Sequence, residues 1–166
     1  MATVPIILDP LVARVGTTGI PELVNIAGTD EPVWGYAFDA ASREDLYFVF
    51  PAVLYGSGNV TVTVQWYSRS GSTTGDVVWG ARLKAISDGD AVSVESKTFS
   101  TAATTTTTVN GTAKGPKFTT ITITSLDSLT ANDKLSINIY RDAAAGGDTM
   151  AGDAVYLTGT ASYSDT

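Results

Sequence analysis

Residues 75–90 read GDVVWGARLKAISDGD. At period two, Val77, Trp79, Ala81, Leu83 and Ala85 fall on one face, and Val78, Arg82 and Lys84 on the other, with Gly80 breaking the second row. Successive side chains of a strand point to opposite faces, so this alternation predicts a strand with one face in a core and one face in water. Asp88-Gly89-Asp90 supplies turn chemistry at its end, since Asp and Gly tolerate left-handed backbone. The stretch is read as a central strand crossing the domain, with Val77, Trp79 and Leu83 as core residues.

Working outward, the same period recurs. Trp34, Tyr36 and Phe38 alternate, then Leu46, Phe48 and Phe50. Val60, Val62, Val64 and Trp66 alternate against Thr61, Thr63, Gln65 and Tyr67. Val92, Val94 and Phe99 suggest a further strand. The run TAATTTTTV at 101–109 has high β propensity because Thr is β-branched, and is read as an edge strand or a loop. Asn110-Gly111 is a tight-turn signal. Strands are expected at about 117–124, 134–142 and 155–163, with a small-residue loop at 143–153. About eight or nine strands with no helical period predict an all-β fold, a jelly-roll-type sandwich spanning residues 33–166.

Residues 1–32 differ. Pro5, Pro10, Pro21 and Pro32 interrupt them, and proline fixes φ and removes a backbone donor. Ile6, Ile7, Leu8, Leu11, Val12, Val15, Ile20, Leu23, Val24 and Ile26 are nonetheless too apolar for a solvated tail. An extended N-terminal arm follows, lying either on its own sandwich or on a partner subunit. The second is preferred, because the prolines leave edges that cannot pair internally. Ile6, Ile7, Leu8, Leu11, Val12, Val15, Ile20, Leu23 and Val24 are then the interface residues.

Composition excludes several classes of function. With 10 Lys and Arg against 17 Asp and Glu, the net charge is −7, and nucleic-acid binders neutralise phosphates with clustered cations. Without histidine or cysteine, disulfides, zinc-thiolate sites, Cys nucleophiles and Ser-His-Asp triads drop out. No apolar run approaches the roughly eighteen residues of a membrane-spanning helix, so no membrane partner is expected. The N-terminus lacks a basic region followed by an apolar run and cleavage site, so no export signal is expected.

Carboxylates are the remaining candidates for chemistry: Asp76, Asp88, Asp90, Asp127, Asp133, Asp142, Asp148 and Asp153, mostly in loops. Beside Gly or Ser they read as turn residues. Calcium would suit Asp88-Gly89-Asp90 or the 148–153 loop, but neither has EF-hand spacing. No catalytic residue, metal or cofactor is expected. Trp34, Tyr36, Trp66, Tyr67 and Trp79 could stack on sugars, although most lie on the core-facing row. Asn59-Val60-Thr61 and Asn110-Gly111-Thr112 match the glycosylation sequon, which carries little weight without an export signal.

The 75–90 stretch, followed about fifty residues later by LSINIYRDAAAGGDTMAGDA, resembles small structural proteins of tailed bacteriophages. The shared residues are Val77, Val78, Trp79, Gly80, Asp88, Gly89, Asp90, Tyr140, Arg141, Asp142, Gly147, Asp148 and Asp153, and the likeness runs from about 45 to 163. It implies a virion protein most like a capsid cement (decoration) protein. Such a protein would be a homotrimer on the outer surface of the major capsid protein shell, made in the host cytoplasm, and not an enzyme. The alternative is a tail- or fibre-associated module that binds a receptor or carbohydrate. A depolymerase ranks third, because such enzymes have much longer repetitive chains.

Overall fold

The protein, described over residues 2–166 by a computed structural model, contains eleven β-strands and one short 3-10 turn. They are β1 (Thr3–Leu8), β2 (Arg14–Val15), β3 (Glu22–Ile26), β4 (Val33–Phe38), β5 (Glu44–Pro51) and β6 (Ser57–Ser68). β7 (Asp76–Ile86), β8 (Ala103–Thr108), β9 (Lys117–Ile123), β10 (Lys134–Arg141) and β11 (Ala154–Ser164) follow. All pairings are antiparallel. One sheet of six strands runs β3-β4-β11-β6-β9, with β1 also on β11; a sheet of five runs β2-β5-β10-β7-β8. The two bury one apolar core between them, and the fold is a jelly-roll-like β-sandwich.

Period two explains the core. Val60, Val62, Val64 and Trp66 of β6 are fully buried, as are Val77, Trp79, Ala81, Leu83 and Ala85 of β7 and Ile137 and Ile139 of β10. The Phe38 ring meets Trp79 edge-on, with centroids 5.0 Å apart, a favoured geometry for aromatic pairs. The middle of the five-stranded sheet is β10, however, and β7 lies one strand from the edge.

The N-terminal stretch, expected to be an arm without a strand period, holds β1, β2 and β3. These pair with β11, β5 and β4 of their own sandwich. The prolines do not prevent this. Pro5 lies in β1, which pairs on one side only, and Pro21 and Pro32 each immediately precede a strand; both are places where a missing N–H costs no ladder bond. Pro10 opens the 3-10 turn, whose start is capped by Asp9 accepting from the Leu11 N–H at 2.7 Å. Three of the expected interface residues are therefore corrected. Leu8 and Val24 are buried in the sandwich and Ile6 packs against its core, whereas Ile7, Leu11, Val12, Val15, Ile20 and Leu23 are exposed.

The Thr run is β8, an edge strand, and it closes one side of the sandwich. Thr105 Oγ1 donates to the Thr120 carbonyl at 3.0 Å, and Thr119 Oγ1 donates to Thr107 Oγ1 at 2.9 Å, tying β8 to β9 across the two sheets. Asn110-Gly111 is accordingly not a two-residue hairpin but the start of a crossing loop. Asn110 accepts from the Thr112 N–H and donates to the Pro116 carbonyl, each at 2.9 Å.

The strand expected around Val92, Val94 and Phe99 does not form. Val92 and Val94 are exposed, and Phe99 instead reaches over the five-stranded sheet to within 5.9 Å of the Tyr47 ring. There the Arg43 guanidinium lies 3.5 Å over Tyr140, and Arg82 Nε donates to the buried Asn138 at 2.8 Å. The face expected to be wet is thus covered; Val78 is buried, and Tyr140 packs so closely on Gly80 that a Cβ there would meet its ring at 2.2 Å. The open sheet face is the outer face of the six-stranded sheet.

Candidate functional site

On that outer face β6 presents Thr61, Thr63, Gln65 and Tyr67, the residues that alternate away from the core. Gln65 stands opposite Phe118 on β9 and Thr158 on β11; Thr63 stands opposite Thr120 and Thr160, and Thr160 opposite Ile7 on β1. Two depressions lie here and share Gln65. The larger, about 700 Å³, has Tyr67, Leu157, Ile26 and Pro116 in its walls, with Arg69 and Lys114 also lining it. The smaller, about 250 Å³, is bounded by Phe118 and Ile7 over a floor of threonines. The larger falls within the roughly 300–1,000 Å³ typical of small-molecule sites.

The chemistry is an apolar wall around a few polar groups. Ile26, Tyr67 and Leu157 pack on buried Val24, Ala37 and Val155, which support this wall from beneath. Burial pushes the Tyr67 phenol above its usual range, although nearby Arg69 opposes the shift, so it stays a neutral donor and acceptor. Among the described residues neither the Gln65 amide nor the Tyr67 hydroxyl has a hydrogen-bond partner within the protein, unlike Trp66, whose indole donates to Thr119 at 2.9 Å. Arg69 is held by Glu22 and by Asp153, at 2.5 and 3.3 Å.

Of the five aromatic residues that invited a sugar-stacking reading, Trp66 and Trp79 are fully buried and Tyr36 nearly so. Trp34 is exposed, and only Tyr67 reaches the groove. Phe118, with more than half its surface exposed, is the second groove aromatic, and its place opposite Gln65 follows from alternation only once β9 is paired. Nothing in the sequence signalled Lys114, and Leu157, in the alternating row of the last expected strand, sits where the β11 register shifts between Tyr156 and Thr158, which the sequence does not show.

Four of the loop carboxylates are tied into the structure. Asp148 forms a buried bidentate pair with Arg141, with contacts of 2.6 and 2.9 Å. Asp90 and Asp127 flank Lys97 at 2.7 and 3.5 Å, and Asp133 accepts from the Thr130 N–H at 2.7 Å. Among the described residues no three acidic side chains gather to form a metal site.

No protein-family model matches the chain, and no curated protein sequence does. Solved structures do. The fold is similar to a family 11 carbohydrate-binding module from Clostridium thermocellum in complex with a β-1,3-1,4-mixed-linked tetrasaccharide, at 11% identity over 95% of this chain and 94% of that one, with a TM-score of 0.52. It is similar also to the family 11 module of a cellulosomal cellulase of Clostridium thermocellum, at 10% identity over 97% and 95%, with a TM-score of 0.53. At such identity the likeness is one of fold: an antiparallel β-sandwich of the kind used by carbohydrate-binding modules.

Proposed function

We propose that the protein is a non-catalytic carbohydrate-binding module whose ligand lies in the groove on the six-stranded sheet. The observation that carries this reading is the pairing of an apolar wall with two unpartnered polar groups, the Gln65 amide and the Tyr67 hydroxyl. A pyranose has a C–H face that packs on Tyr67, Leu157 or Phe118, and hydroxyls that hydrogen-bond to Gln65 and Tyr67. A few placed polar groups in a mostly apolar cleft are what orient a small ligand. The similarity in fold to a module solved in complex with a mixed-linked tetrasaccharide supports the reading without carrying it. The test is affinity electrophoresis of the whole chain through gels containing a panel of neutral and acidic polysaccharides. Retardation by at least one is expected, with loss in Tyr67→Ala and Gln65→Ala at unchanged melting temperature. No retardation by any polysaccharide would overturn it.

A second reading has its own support. Ile7, Leu11, Val12, Val15, Ile20 and Leu23 leave much apolar surface exposed, and exposed apolar patches often mark protein interfaces. This surface suits a virion structural protein, a homotrimeric cement on the major capsid protein shell. Sedimentation with capsids that lack the protein tests it, and occupancy unchanged by Leu11→Ser with Val12→Ser would refute it.

A further inference from the structure

Resting on the saccharide-binding reading, we propose that the groove selects a saccharide that carries a carboxylate, which Lys114 meets at one end of the larger depression. Lys114 sits on the crossing loop between β8 and β9. Asn110 holds that loop through its bonds to Thr112 and Pro116, and the Gly115 N–H donates to the Thr112 carbonyl at 2.9 Å. Lys114 has φ of +57°, in the left-handed region that lysine seldom adopts. Its stem runs beside Gly71, so the loop after β6 supports it from the other side. The side chain is thus presented by two loops braced together, rather than by a free tail.

Its charge is uncompensated. Arg43, Arg69, Lys97 and Arg141 each pair with at least one carboxylate. Among the described residues the Lys114 ammonium has none within ion-pair distance. The residues lining the two depressions include no Asp or Glu, although the chain has 17 of them. An anionic group entering the groove therefore finds a cation and no lining carboxylate to repel it. A neutral sugar gains only a hydrogen bond from the Lys114 ammonium, whereas a uronate gains an ion pair with it as well, which salt screens.

The experiment compares polygalacturonate and alginate, each beside its methyl ester, in affinity gels and by titration of oligomers with the whole chain. The ester keeps the ring and removes the charge. Tighter binding of at least one acid than of its ester is expected, with a preference that weakens as salt rises. Lys114→Gln should cut the acid-to-ester affinity ratio by about 1.4- to fivefold, the range of exposed ion pairs, and Lys114→Arg should largely keep it. Melting temperatures check that both variants fold. Equal affinity for acid and ester, or a ratio unmoved by Lys114→Gln, overturns the proposal and leaves the saccharide reading standing. Failure of acids, esters and the neutral panel alike overturns both.

Discussion

Arg141 is the side chain whose loss the protein should tolerate worst. It is fully buried at the end of β10, and its partner Asp148 is 2% exposed. Nε and Nη2 donate to the two carboxylate oxygens, Nη1 donates to the Gly152 carbonyl at 2.8 Å, and Nη2 to the Met150 carbonyl at 2.8 Å. Asp148 in turn accepts from the Val78 N–H at 3.1 Å, so the pair fastens the 142–153 loop to β7 and β10. In Arg141→Ala the carboxylate keeps that single donor, and three carbonyls, those of Phe38, Gly152 and Met150, lose the donor that the guanidinium supplied. Breaking a buried pair by removing one partner costs about 3–5 kcal/mol. For a domain of this length that corresponds to a fall in Tm of about 6–20 °C. Urea unfolding read by tryptophan fluorescence measures it as a shift in midpoint at constant slope. Arg141→Met with Asp148→Leu removes both charges and should recover part of the loss, since apolar replacement of a whole buried pair is often neutral. A cost below about 1 kcal/mol for Arg141→Ala would refute the reasoning.

Deleting residues 2–9 strips β1 from β11 and removes fully buried Leu8; loss of a buried leucine side chain alone costs about 2–5 kcal/mol, and an unchanged Tm would show that this segment is an accessory arm after all. Gly80→Ala drives a methyl into the Tyr140 ring, which Arg43 covers from above; overpacking of this kind costs about 1–3 kcal/mol, measurable by thermal melting, and a neutral outcome would mean that the ring is free to move. Burial pushes the Tyr156 phenol far above its usual range, and its hydroxyl donates to the Leu8 carbonyl. Above pH ~10 the unfolded phenol ionises while the native one keeps its proton, so stability should fall by up to ~1.4 kcal/mol per pH unit from this group. Tyr156→Phe should flatten that alkaline slope by one proton equivalent, and an identical slope would contradict the assignment.

Much of the sandwich was legible in the sequence, because alternation is a local property. Val60 to Tyr67 and Val77 to Ala85 declare their core rows by period two alone, and all eight strands from β4 onward lie within the region where this pattern was read. The absence of His and Cys likewise removed whole classes of chemistry without any coordinates. What alternation does not specify is what covers the other face of a strand. Val78 and Arg82 read as wet, yet Tyr140, Arg43 and Phe99, brought from three other segments, lie over their sheet. Pairing of edges is just as non-local. Pro5 argues against a strand until β11 supplies a ladder that needs nothing from its missing N–H, and the Thr run acquires a purpose only when β9 stands beside it. The groove belongs wholly to this second level. Gln65 and Tyr67 were visible as the polar side of β6, but Phe118, Leu157 and Lys114 join them from strands and a loop about 47 to 92 residues further along the chain, and sequence patterns of period two do not reach across such separations.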